Sequence, residues 1–272
     1  MVSLLPTEGE PIERTISSSA ERSWSSYAFL LGGGWLTLVL VWSGLGWLLT
    51  DAGSATAGIR SFDRGIAQDA EQSRSAAATS VSTVLSAFGD TLTVIGVAVV
   101  VGTVLLIVRH WTSVLLLTTA LIVEVTVFVS VTLLIERDRP DVRQLDVSPP
   151  TSSFPSGHTA ASTALALSLL IIIGWHWRSR WARVAAWTVL PLVGVMVALA
   201  RVYRGMHFPS DVLAGFLLGL AAVAVAFIAV RAWVGEGTDS RTKEGSTDED
   251  RRGSAPQEVA GGRPRRVTES SG

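Results

Sequence analysis

Three short segments of the 272-residue sequence gather residues suited to binding and attacking an oxyanion. They are Arg137-Asp138-Arg139-Pro140, Phe154-Pro155-Ser156-Gly157-His158, and the run from Arg201 to Asp211 that holds Arg204 and His207. Arg139 and Arg201 offer planar, permanently charged forks for bidentate contacts, with Arg137 and Arg204 as supplements. Ser156-Gly157-His158 opens an apolar stretch of helical length, whose unbonded N–H groups and positive dipole end make an anion site. Gly157 allows close approach there, and Ser156 can cap the helix or donate its hydroxyl. His207 and Asp211 are four apart, one helical turn. That spacing is expected to bring the carboxylate onto one ring nitrogen, fixing the tautomer and leaving the other nitrogen as a nucleophile. His158 is then free to act as a general acid.

The elements that must position these residues are legible from where charge is missing. No charged residue occurs between Arg22 and Asp51, Asp90 and Arg109, Arg183 and Arg201, or Asp211 and Arg231. Each gap can cross a hydrocarbon core of about 30 Å as a helix rising about 1.5 Å per residue. Two further stretches, Trp111 to Ile135 with only Glu124 breaking it and Thr159 to Trp175, bring the expected number of spans to six. The first apolar run exceeds the roughly 7–15 residues of a cleaved signal core, so it is expected to stay as an anchor. The Ala-rich stretch Ser75 to Phe88 reads as a short helix near the membrane surface before the second span.

Composition agrees with this reading. Hydrophobic residues make up 48% and charged residues 17%, and mean hydropathy is +0.42, whereas soluble domains carry about a quarter charged residues. The net charge of -1 excludes the basic excess of a dedicated nucleic-acid binder. The absence of cysteine excludes disulfides, thiolate metal sites and cysteine nucleophiles. The expected fold is all-α: a polytopic six-helix membrane bundle spanning 27–233, between polar ends at 1–26 and 234–272 that read as disordered and cytoplasmic.

Two crossings separate His158 from His207, so topology returns the third segment to the face of the first two. Arg14, Arg22, Arg109, Arg178, Arg180, Arg183 and Arg231 fall on the opposite face. The positive-inside rule then makes both termini cytoplasmic and the site external. Arg137, Arg139, Arg143, Arg201 and Arg204 on the outer face are assigned to the site rather than to topology.

The three segments resemble the motifs of the type 2 phosphatidic-acid phosphatase superfamily, Lys-x6-Arg-Pro, Pro-Ser-Gly-His and Ser-Arg-x5-His-x3-Asp, over about Tyr27 to Trp233. The resemblance implies a membrane lipid phosphatase in which His207 attacks phosphorus to give a phosphohistidine, Asp211 orients it and His158 protonates the leaving group. It implies that Arg139, Ser156, Gly157 and Arg201 hold the phosphate, with no metal or other cofactor and no obligatory protein partner. The implied substrates are an undecaprenyl-type diphosphate, phosphatidylglycerophosphate or phosphatidic acid, presented from the bilayer. The related vanadate-dependent haloperoxidases supply one alternative, an oxidising enzyme; a lipid-binding or transport protein that has lost catalysis is another.

Two positions depart from the pattern. Ala200 stands for the serine before Arg201, and Thr132 stands where the family has its lysine, seven residues before Arg139. The sole lysine of the chain is Lys243, so Arg137 or Arg204 is expected to fill the vacancy. His110 and His176 read as interfacial residues, Glu124 as a protonated structural carboxyl bonded to a neighbouring helix, and Asp138 and Asp141 as acids holding the nearby arginines.

Overall fold

The structure is a computed structural model that describes residues 10–253 apart from positions 52, 54 and 149, with side chains between 24 and 234 except at position 51. The outermost parts of the two polar ends, 1–9 and 254–272, lie outside the described residues. The described chain folds into α1 (Glu10–Asp51), α2 (Ala57–Gln72), α3 (Ala76–Ala87), α4 (Thr91–Ile107), α5 (Trp111–Leu134), α6 (Gly157–His176), α7 (Arg180–Tyr203) and α8 (Pro209–Gly253). It is an all-α membrane bundle.

Five helices are long and apolar enough to cross a bilayer: α5, α6, α7, and the parts of α1 and α8 at Trp24–Thr50 and Pro209–Val234. The expected second span is corrected in shape. Its apolar run holds only α4, 17 residues long, and reaches span status together with α3 across a 45° bend. The cause is local: Asp90 takes extended backbone angles (φ -64, ψ 139) as the N-cap of α4, so the two helices cannot be continuous. The short helix expected from Ser75 to Phe88 is α3, whereas α2 was not foreseen.

The inner helix α8 packs against α1, α5, α6 and α7. Leu218 and Ala222 meet Val127 and Val131 of α5 and Trp42 of α1 in one buried cluster. Ala226 and Val223 meet Leu116, Ala120 and Ala164 in another. Outward-facing Leu92, Ile107, Leu133, Trp187 and Leu199 are exposed, as a lipid-facing surface requires. Small residues let α6 and α8 approach closely: a side chain at Gly215 would strike the Ser156 carbonyl. The first turns of these two helices are thereby held side by side, and Ser156 N–H donates to the Asp211 carbonyl at 3.0 Å. That contact joins the second and third sequence segments.

Candidate active site

The helix α7 ends at Tyr203, and Gly205, at φ +73, turns the chain toward α8. His207 lies in this link, 4% exposed. Its Nδ1 is 2.7 Å from the Ser153 carbonyl. A carbonyl only accepts, so Nδ1 carries the proton and Nε2 keeps its lone pair. This corrects the expected histidine–carboxylate contact, because Asp211 Oδ2 is 4.0 Å from Nδ1, beyond a hydrogen bond. The reason is the start of α8 at Pro209: Asp211 turns back to accept from Phe208 N–H at 2.8 Å, as the third residue of a capping box does. A backbone carbonyl therefore sets the tautomer that the sequence assigned to Asp211.

Burial pushes the His207 ring well below its ordinary pKa, and the Arg201 and Arg139 charges push it further the same way. Both effects favour the neutral ring, the form that a nucleophile requires. Were His207 the nucleophile, its protonation would stop attack, and the acid limb of kcat/KM is then expected below the ordinary histidine value of about 6.5. A pH–rate profile of the free enzyme checks this, and a limb above that value contradicts it.

The cations are organised by an acid that the motifs omit. Asp146 accepts from Arg201 Nη1 at 2.9 Å and Arg204 Nε at 2.8 Å. The Arg204 hydrogen bond holds the Asp146 carboxyl below its usual range despite partial burial, with the Arg201 charge helping. Hydroxyls of α3 complete the cluster: Ser86 accepts from Arg201 at 3.0 Å, and Ser82 and Thr83 accept from Arg204 at 3.1 and 2.9 Å. The Tyr203 hydroxyl contacts Thr79 at 3.2 Å and docks α3 on α7. Arg139 donates from Nη1 to the Met206 carbonyl at 2.8 Å.

His158, His207, Gly157, Arg139, Arg201, Arg204 and Thr132 all line one cavity of about 1140 Å³. Its upper end holds these polar groups, and its lower end runs between α4 and α5 past Val94, Ala98, Gly102, Leu117 and Leu121. Three donors in its wall, Arg139 Nε, Arg201 Nε and Thr132 Oγ1, are buried and have no acceptor among the described residues. The first intrahelical bond of α6 runs from Ala160 N–H to the Ser156 carbonyl, so the N–H groups of Gly157 and His158 have no helical partner. An anion with several acceptor oxygens fits this set.

Ser156, Asp211 and Arg137 lie behind the cavity rather than on it. Ser156 is fully buried, and its hydroxyl meets Thr159 Oγ1 at 3.0 Å. Arg137 is not the free cation that the sequence suggested. It bridges Asp211 and Asp63 by salt bridges, the latter at 2.7 Å, and also donates to Ser210 Oγ at 2.8 Å. Asp63 comes from α2, is 1% exposed and accepts from Ser210 N–H at 3.0 Å. Two carboxylates thus neutralise Arg137 in the interior, where an unpaired guanidinium would be too costly. Arg204 lines the cavity and, like Arg201, is paired with Asp146, whereas Arg137 is committed to the interior bridge and does not line it.

The acids expected to hold the arginines, Asp138 and Asp141, are replaced in that task by Asp63, Asp146 and Asp211. At the opposite ends of α5 and α6, the His110 and His176 rings stack at 3.9 Å, and His176 Nε2 lies 2.7 Å from Ser113 Oγ. Glu124 lies in the apolar wall of the cavity and makes no hydrogen bond among the described residues, against the expected bond to a neighbouring helix.

Residues 112–234 match the model of the PAP2 superfamily. The chain is 38% identical over 88 residues to phosphatidylglycerophosphatase B of Bacillus subtilis, covering 32% of this chain and 42% of that protein. It is 36% identical over 75 residues to an undecaprenyl-diphosphatase of Sulfolobus acidocaldarius, covering 28% and 32%. The matched stretch is thus less than half the length of these curated relatives. The fold is similar to the crystal structure of a transmembrane PAP2 type phosphatidylglycerolphosphate phosphatase from Bacillus subtilis, with a TM-score of 0.60 and 24% identity, covering 73% of this chain and 94% of that one.

Proposed function

We propose that this chain, which belongs to the PAP2 superfamily through residues 112–234, is a membrane lipid phosphatase working through a phosphohistidine on His207 without a metal. The observation that carries the proposal is the group of unsatisfied donors around a neutral histidine with a bare Nε2. In this reading Arg139, Arg201 and the first turn of α6 grip the phosphoryl oxygens. His207 Nε2 bonds to phosphorus, and His158 protonates the departing oxygen. Water then attacks the phosphohistidine with His158 as base. The cationic surround does the neutralising that a divalent ion does elsewhere.

The apolar limb of the cavity suits a lipid tail that stays in the bilayer while its headgroup reaches the arginines. Thr132 supplies a hydroxyl instead of an ammonium, which leaves room for a diphosphate. A polyprenyl diphosphate of the undecaprenyl type is therefore the first candidate, before phosphatidylglycerophosphate and phosphatidic acid. Phosphate release from these three lipids in detergent tests the proposal, run with and without a strong chelator. Release unaffected by chelator and fastest on the diphosphate is expected. No release, or activity lost in chelator and restored by magnesium, contradicts it.

The site is further proposed to face the outside, with both termini cytoplasmic, on the strength of the arginines at the far helix ends. The chain lacks cysteine, so a single introduced thiol is an unambiguous reporter. Val147, 95% exposed in the loop before α6, is expected as Val147→Cys to react with an impermeant reagent on intact cells. Ser179→Cys at the start of α7 should react only after permeabilisation. The reverse pattern inverts the topology.

A further inference from the structure

The bend between α3 and α4 carries a carboxylate to the second histidine of the cavity. Asp90 Oδ1 lies 2.9 Å from His158 Nε2. We propose that Asp90 is a positioning residue for His158, holding Nε2–H so that Nδ1 gives and takes the proton that moves during turnover. The proposal rests on the phosphatase reading and adds to it a residue outside the matched span 112–234.

Two observations separate this contact from an incidental surface pair. Asp90 is the N-cap of α4, where an aspartate ordinarily accepts from an N–H of the first turn; here its side chain makes no cap hydrogen bond. It reaches across to His158 instead. The joint is also seated tightly on that histidine: a Cβ added at Gly89 would come within 2.8 Å of the His158 carbonyl oxygen and 2.8 Å of Val197 Cγ1. The same joint presents Ser86 to Arg201, so the bend is built into the site wall on both sides of Gly89. The charged and titratable groups around His158 are Asp90 from the joint, Arg201 from α7, Asp146 from the loop before α6, and His207.

The proton balance is as follows. As the His207 Nε2–phosphorus bond forms and the bond to the leaving oxygen breaks, doubly protonated His158 releases its Nδ1 proton to that oxygen. It keeps Nε2–H on Asp90. In the second half, Nδ1 takes a proton from the water whose oxygen attacks phosphorus as the nitrogen–phosphorus bond breaks. Both histidines then return to their starting states. A carboxylate that fixes one nitrogen in this way governs which nitrogen transfers the proton and where it points.

The test compares leaving groups that need a proton with one that does not, using the purified full chain in detergent. Asp90→Asn is expected to lower kcat on the alkyl monophosphates phosphatidic acid and phosphatidylglycerophosphate by about 10²-fold, with KM nearly unchanged. On para-nitrophenyl phosphate it should slow the first half, read as the burst of nitrophenolate, by less than about threefold, because that leaving group departs unprotonated. Asp90→Glu should recover part of the loss, and in a His158→Ala background Asp90→Asn should cost less than about twofold more. Unfolding temperature serves as the fold control. Equal losses in the first half on both kinds of substrate, full activity of Asp90→Asn, or additive losses with His158→Ala would each overturn the role of Asp90. A parent chain that releases phosphate from no lipid tells instead against the phosphatase reading.

Discussion

Replacing His207 with alanine is expected to reduce phosphate release from any lipid phosphate by at least about 10⁴-fold, with the bundle still folded. The ring lies within reach of the Arg201 and Arg139 charges, and its tautomer is already set by the Ser153 carbonyl. Alanine removes the attacking atom and leaves the anion site in place. Binding should survive the change: the variant should still bind a non-hydrolysable lipid phosphonate, because Arg139, Arg201 and the first turn of α6 are untouched. Asp211→Asn should behave differently. Its carboxylate is 4.0 Å from the ring and holds Arg137 and the first turn of α8, so the loss should appear in stability as well as in rate. A His207→Ala protein with parental turnover would remove the nucleophile from the account.

The second large effect concerns Arg137, where sequence and structure assign different tasks. Arg137→Ala should cost about 3–5 kcal/mol of stability, because it strands Asp63 and Asp211 as buried carboxylates without their cation. The same substitution would only weaken substrate binding if Arg137 reached the phosphate. Unfolding in detergent separates the alternatives. A large fall in stability, partly relieved by Asp63→Asn in the same chain, fits the interior bridge. A normal unfolding temperature with a raised KM would return Arg137 to the phosphate site. Arg139→Ala is the matching contrast, since its side chain lines the cavity and should act mainly on substrate.

The contrast between these residues explains what the sequence made legible. In a chain with so little charge, His158, His207, Arg139 and Arg201 stand out by type, and the fold brings all four to one cavity. Hydrophobic runs likewise located the spans, since lipid demands long uncharged helices. Three acids were invisible for a common reason: Asp63, Asp90 and Asp146 lie far in sequence from the arginines and histidine they serve. Asp90 was visible only as the edge of an apolar run, a position that its N-cap backbone explains without hinting at His158. The carbonyl that sets the His207 tautomer could not be read at all, because every residue owns one. Helical spacing pointed to Asp211 for that task, but the proline that begins α8 redirects its carboxylate to Phe208 N–H.

The central claim is the covalent bond between His207 and phosphorus, and trapping it is the most direct test. The full chain is mixed with a lipid phosphate labelled in the transferred phosphoryl group, quenched in alkali during turnover, digested and sequenced by mass spectrometry. The account predicts an acid-labile, alkali-stable phosphoramidate on the peptide containing His207, at up to one per chain, that disappears in His207→Ala. Label on another residue, or active turnover with no label under quench times shorter than one cycle, would contradict it.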